Sequence, residues 1–181
     1  MHGTEAPSPW VQRWAHLIAP GSQVLDLACG AGRHMRYLSS LGHQVLGVDR
    51  SEEALNAASA WGKPLQADIE NEPWPLPERR FGAVVVTNYL WRPLWPHIVQ
   101  AVQRGGVLLY ETFALGNETV GRPSRAEFLL APGELLQMAT EGGLRVVAYE
   151  DGFLDAPARF VQRLAAVRDP AGTDPTRWPL A

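Results

Sequence analysis

Residues 24–38 read Val-Leu-Asp-Leu-Ala-Cys-Gly-Ala-Gly-Arg-His-Met-Arg-Tyr-Leu, and the reading of the fold starts from them. Val24, Leu25 and Leu27 suit a short buried strand. Gly30 and Gly32 carry no Cβ, so the backbone there can turn tightly and come close to a ligand. From Arg33 the period changes: Met35, Leu38 and Leu41 recur at helical spacing, and Gly42 stands at the C-cap. Strand, glycine turn and helix N-terminus together make a nucleotide-binding corner. A dinucleotide fingerprint needs a third glycine inside the helix, and Met35 occupies that place. The corner carries an acid instead, Asp26, at the end of the strand.

Downstream, Gln44 to Asp49 reads as a second buried strand ending in an acid. A carboxylate there suits the two hydroxyls of a ribose, in NAD enzymes as in others. Ser51 caps the next helix, whose buried face is Ala54, Leu55, Ala58 and Trp61. Pro64 to Asp68 is a third strand, again ending in an acid, and a stiff proline-rich loop follows. Phe81 to Asn88 is Val-rich, as expected of a central parallel strand. Pro93 and Pro96 delay the next helix, whose buried face is Ile98, Val99 and Val102 and which stops at Gly105-Gly106. Val107 to Phe113 is a fifth strand. The irregular run 114–130 is long for a connection and points to a functional loop or lid. A helix over 132–141 and strands over 144–150 and 159–168 complete the pattern. Upstream, Ser8-Pro9 starts a helix over 8–19 with an apolar stripe of Trp10, Trp14, Leu17 and Ile18. That helix either covers the sheet or lies over a ligand with Arg13 or His16 facing it. Residues 1–7 and 169–181 read as loose.

The run Asp26-x-Ala28-x-Gly30-x-Gly32 resembles motif I of the class I S-adenosylmethionine (SAM) methyltransferases, with Ala28 replacing the first of three glycines. Residues 88–94, Asn-Tyr-Leu-Trp-Arg-Pro-Leu, and 110–118, Tyr-Glu-Thr-Phe-Ala-Leu-Gly-Asn-Glu, resemble a small bacterial tellurite-resistance-like group of these enzymes. The resemblance runs from Val24 to Arg168. It implies an α/β, Rossmann-like three-layer sandwich over 1–181 as a single domain. Its seven-stranded, mostly parallel sheet has the order 3-2-1-4-5-7-6, with strand 7 antiparallel. It implies S-adenosyl-L-methionine as cofactor, bound by Asp26, Ala28, Cys29, Gly30, Gly32, Asp49, Arg50, Asp68, Ile69 and Asn88. Asp49 would hold the ribose and Asp68 the adenine amino group. No Asn-Pro-Pro-Tyr follows the fourth strand, which argues against DNA bases or glutamine amides as acceptors and leaves a small molecule.

Methyl transfer from a sulfonium is an in-line displacement, so the protein chiefly positions the acceptor. Glu111 at the tip of the fifth strand is the candidate base; its alternative is an ion pair with an arginine such as Arg122 or Arg125. Tyr89 is the second candidate catalytic residue; it and Arg92 are candidates to line the acceptor pocket, and Arg122 and Arg125 to meet an anionic or polar acceptor group. Trp91 and Trp95 read as packing residues. His34 faces either ligand or solvent. Two other classes stay open: an NAD(P)-dependent oxidoreductase and a non-catalytic SAM-binding module. With 181 residues, 46% of them hydrophobic, the chain has room for one full core. Its net charge of -3 sets up no global basic field for nucleic acid. The only cysteine, Cys29, precludes an internal disulfide and fits a reducing, cytoplasmic setting. No secretory leader is visible, and the histidines at 2, 16, 34, 43 and 97 lack metal-ligand spacing.

Overall fold

Seven strands form one sheet in the order β3-β2-β1-β4-β5-β7-β6. They are β1 Gln23–Leu27, β2 Gln44–Asp49, β3 Lys63–Gln66, β4 Phe81–Thr87, β5 Val102–Phe113, β6 Arg145–Asp155 and β7 Ala158–Val167. The first five pair in parallel, and β7 runs antiparallel to both β5 and β6. Order and direction are those expected from the sequence. This computed structural model describes residues 5–172 and 175–180. Residues 1–4, and with them His2, lie outside that range.

Every residue of β4 is buried, because helices cover both faces of the sheet. On one face Ala83 and Val85 meet α1 (Pro9–Trp14), α2 (Arg33–Ser40) and α3 (Glu52–Ala58) through Trp10, Trp14, Met35 and Leu55. On the other, Val84 and Val86 meet α4 (Trp95–Ala101) and α5 (Glu134–Glu141) through Ile98 and Leu135. Each such buried aliphatic or aromatic side chain contributes about 1.5–3 kcal/mol. Ser8 caps α1 by accepting the Trp10 N–H at 3.1 Å, with Pro9 at the first helical position. The α-helix ends at Trp14 and a 3-10 turn carries on to Leu17, shorter than the expected 8–19. Trp10 donates its indole N–H to Leu164 O at 3.0 Å, so α1 covers the sheet. Arg13 reaches Glu150, and His16 bonds Arg13 O and Pro179 O. Gly42, at φ +87, closes α2: His43 N–H donates to Leu38 O and Gly42 N–H to Ser39 O.

Several boundaries differ from the sequence reading. The fourth helix stops at Ala101, and Val102 already belongs to β5, paired with Phe81. Gly105, at φ +74, lies in the irregular stretch before pairing resumes at Val107. Trp61 is 39% exposed, because α3 ends at Ala58 and the helical period no longer holds beyond it. Leu41 is exposed at the end of α2, leaving Met35 and Leu38 as its buried stripe. The described end of the chain is tied down rather than loose: the Trp178 indole N–H donates to Asp169 at 3.3 Å and the ring packs on the α1 side.

Candidate cofactor and acceptor site

The turn between β1 and α2 places Ala28, Gly30 and Gly32 at φ +53, +54 and +83. Alternate residues are thus left-handed, a conformation that costs an alanine roughly 1–2 kcal/mol. Ala28 adopts it where the motif's usual form has glycine. A Cβ on Gly32 would meet Ala58 Cβ at 2.9 Å, so the close approach of α3 requires a glycine there. Cys29 N–H donates to Val48 O at 3.0 Å and fastens the turn to β2. The Cys29 thiol is buried in the core on the α1 side, and burial pushes its pKa up, with Asp26 and Asp49 adding to the effect.

Asp49, at the tip of β2, accepts the Gly30 N–H on Oδ2 at 2.8 Å and the Ser51 N–H on Oδ1 at 2.9 Å. Its carboxylate is thereby oriented, and each oxygen keeps accepting capacity. A crevice of about 210 Å3 opens beside it, lined by Ala28, Asp49, Arg50, Asp68, Ile69 and Tyr89 among others. Five of these are expected cofactor residues, brought together from beyond three strands. Asp68 is oriented by Asn71 Nδ2 at 2.9 Å and by the N–H groups of Glu70 and Asn71, and these bonds hold its carboxyl below the usual range. Tyr89, expected beside the acceptor, lines this same crevice. Burial and then Glu70 raise its phenol pKa. Asn88 sits at the tip of β4 at φ +54, and its N–H donates to Glu111 O at 2.8 Å.

Beneath the turn, Asp26 is 1% exposed and its Oδ2 has no hydrogen-bond partner among the described residues. Burial raises its pKa to about 7, against the opposing pull of Arg33. A second buried polar cluster lies on the α1 side. Ser8 N–H donates to His34 Nε2 at 3.1 Å, and His34 Nδ1 lies 3.4 Å from Thr87 Oγ1. Nε2 accepting assigns the ring proton to Nδ1. Burial lowers the His34 pKa to about 3, so the ring is neutral; it is buried in protein, not in solvent. Ser8 Oγ donates to Glu111 Oε1 at 3.2 Å.

Glu111 is 1% exposed and sits between two arginines of β7, Arg163 Nε at 2.6 Å and Arg159 Nη2 at 3.6 Å. The Arg163 contact is short yet off line as a hydrogen bond. The ion-pair alternative therefore describes Glu111, with Arg159 and Arg163 in place of Arg122 or Arg125. Its oxygens are engaged inside the protein, and the general-base expectation is corrected on that ground. Arg92 is likewise a brace. It reaches Glu134 at 2.6 and 2.9 Å, Glu127 O at 2.7 Å and Leu129 O at 2.9 Å, so most of its donors are spent within the protein. Trp91 and Trp95 pack against the α4–α5 core, as expected.

The run 114–130 is fastened at its root by Leu115 N–H to Leu130 O at 2.9 Å. Buried Asn117 donates to Pro123 O and accepts from Phe160 N–H. Arg125 pairs with Glu127 and lies over the Phe128 ring. Arg122 is exposed and makes no hydrogen bond or ion pair among the described residues. No group of three metal-ligating side chains occurs among the described residues. Among the described residues, no helix is long and apolar enough to cross a membrane.

Comparison with known proteins agrees with this geometry. A family model described as a methyltransferase domain matches residues 24–106. A ubiquinone biosynthesis O-methyltransferase of Burkholderia pseudomallei is 29% identical over 165 residues, covering 76% of this chain and 70% of the relative. Among solved structures, TehB from Haemophilus influenzae superposes with a TM-score of 0.73 at 24% identity. That match covers 93% of this chain but only 64% of TehB, so this chain accounts for less than two thirds of that protein. A TehB-like SAM-dependent methyltransferase from Corynebacterium glutamicum gives 0.66 at 19% identity, covering 88% of this chain and 87% of the other. The fold is the Rossmann-like methyltransferase fold. Residues 24–106 thus match a methyltransferase domain in sequence, and the whole fold is shared with SAM-dependent methyltransferases.

Proposed function

We propose that the chain transfers the methyl group of SAM to a small-molecule acceptor by in-line displacement. The observation that carries this is the crevice where Ala28, Asp49, Arg50, Asp68 and Ile69 meet beyond the carboxyl ends of β1 to β3. Asp49 takes the ribose hydroxyls, Asp68 and Ile69 the adenine edge, and Tyr89 a wall of the same pocket. The turn from Ala28 to Gly32 borders the methionine end. Asp26 Oδ2, buried and without a partner, fits the cofactor's ammonium group. When bound, SAM supplies a methyl group on a sulfonium, whose departure needs no protonation. What remains for the protein is to position the acceptor and exclude water. Asn88 at the tip of β4 and the loop above β5 border the approach, and Arg122 and Arg125 are the loop's cations.

SAM at 100 times its Kd is expected to stabilise the chain by about 2.7 kcal/mol in thermal unfolding. NADH should give no comparable shift; a shift with NADH and none with SAM reverses the reading. For the acceptor side, Arg122→Ala should lower kcat/KM about tenfold or more, the effect of losing one charge-assisted hydrogen bond. The assay is S-adenosylhomocysteine release over a panel of small anionic and polar acceptors. SAM affinity should be unchanged in the same variant. Full turnover with every accepted substrate in both Arg122→Ala and Arg125→Ala removes the loop from the acceptor site.

A further inference from the structure

A second crevice, of about 620 Å3, opens at the opposite edge of the sheet. Its walls include Arg80, just before β4, Gln103 and Arg104, near the start of β5, and Arg168 with Asp169, just past β7. These positions lie at the amino ends of the parallel strands, whereas the cofactor crevice lies beyond their carboxyl ends. The height of the sheet, roughly 20 Å for six residues, separates the two.

The cations of this crevice are placed but not neutralised. Arg168 is fixed by its Nε and Nη2 bonds to Val102 O and Val99 O, each 2.8 Å, which leaves Nη1 uncommitted. Arg80 spends Nη1 on Pro77 O and Arg79 O and keeps its other donors. Arg104 is exposed and makes no hydrogen bond or ion pair among the described residues. The one acid in the wall, Asp169, is engaged by Arg145 at 3.0 Å and by the Trp178 indole at 3.3 Å. Burial, then Arg104 and Arg80, depress the pKa of Arg168, so their charges are felt together. Three guanidinium groups therefore share one concavity with no free counter-charge, on a chain whose net charge is -3.

We propose that this crevice binds a small polyanion with phosphate groups, held by Arg80, Arg104 and Arg168. Guanidinium forks match phosphate oxygens in geometry and charge. Three guanidinium groups gathered in one open concavity, rather than a basic stripe along the surface, fit a compact ligand better than a nucleic-acid strand.

The test is calorimetric titration of inorganic pyrophosphate into the full chain at 150 mM salt. Saturable binding is expected. Arg104→Ala, a change at an exposed and uncontacted side chain, should weaken it about tenfold or more. Arg80→Gln with Arg104→Ala should abolish it. SAM affinity should stay within about twofold in both variants, because the two crevices are separate. No saturable binding to the parent overturns the proposal, and so does equal pyrophosphate affinity in parent and folded double variant. An oligonucleotide that binds more tightly than pyrophosphate, and depends on Arg104, overturns it in favour of nucleic acid.

Discussion

Replacing Arg163 with alanine is expected to destabilise the fold by about 3–5 kcal/mol, the range for breaking a buried ion pair from one side. Glu111 is 1% exposed, and Arg163 Nε lies 2.6 Å from it. Without Arg163, the carboxylate keeps only Arg159 at 3.6 Å and the Ser8 hydroxyl at 3.2 Å. Arg163 also lies 5.8 Å from the Trp10 ring centroid, so its removal loosens the seat of α1. Urea unfolding reads the loss directly. Adding Glu111→Gln to Arg163→Ala should restore part of the stability, since the amide no longer needs a cation, and the double-mutant cycle isolates that coupling. A single variant within about 1 kcal/mol of the parent would mean that Arg159 and Ser8 suffice for Glu111.

Asp26→Asn should change how stability depends on pH. Asp26 holds its proton more tightly in the folded chain, with a pKa raised from 3.8 to about 7. Its contribution is therefore fully present below about pH 4 and is lost as pH rises through about 7. About three pKa units correspond to a loss on the order of 4 kcal/mol across that window. Asparagine does not titrate, so the variant should be more stable than the parent by about 2–4 kcal/mol at pH 8. The difference should vanish near pH 4. An ammonium group beside Asp26 would offset the burial cost, so SAM should stabilise the parent more at pH 8 than at pH 6. Urea unfolding of both chains between pH 4.5 and 8 decides the matter; a difference that does not vary with pH means that Asp26 ionises as in an exposed site.

The gathering of the strand-tip acids at one edge of the sheet was legible because its signals are local. Asp26, Gly30, Gly32, Asp49 and Asp68 each stand at the end of a short apolar run, and parallel pairing carries those ends to one edge. The roles of Glu111, Arg92 and Tyr89 were not legible, because each depends on a partner far along the chain. Glu111 meets arginines about fifty positions away, Arg92 meets Glu134, and Tyr89 faces the crevice of the second and third strands. Alternation along β7 does put Arg159 and Arg163 on one face of the sheet, but nothing in the sequence says which carboxylate that face meets. The start of β5 was misread because Val102 fits equally as the last apolar residue of a helix or the first of a strand. The Ser8–His34–Thr87 cluster has no spacing signal at all.

The central claim is that the crevice around Asp49 is the SAM site, and isothermal titration of SAM into the parent and Asp49→Ala tests it most directly. The account predicts saturable binding to the parent. It predicts a loss of about 1–3 kcal/mol in the folded variant, where the ribose hydroxyls would lack their acceptor. Equal SAM affinity in parent and folded Asp49→Ala would contradict it.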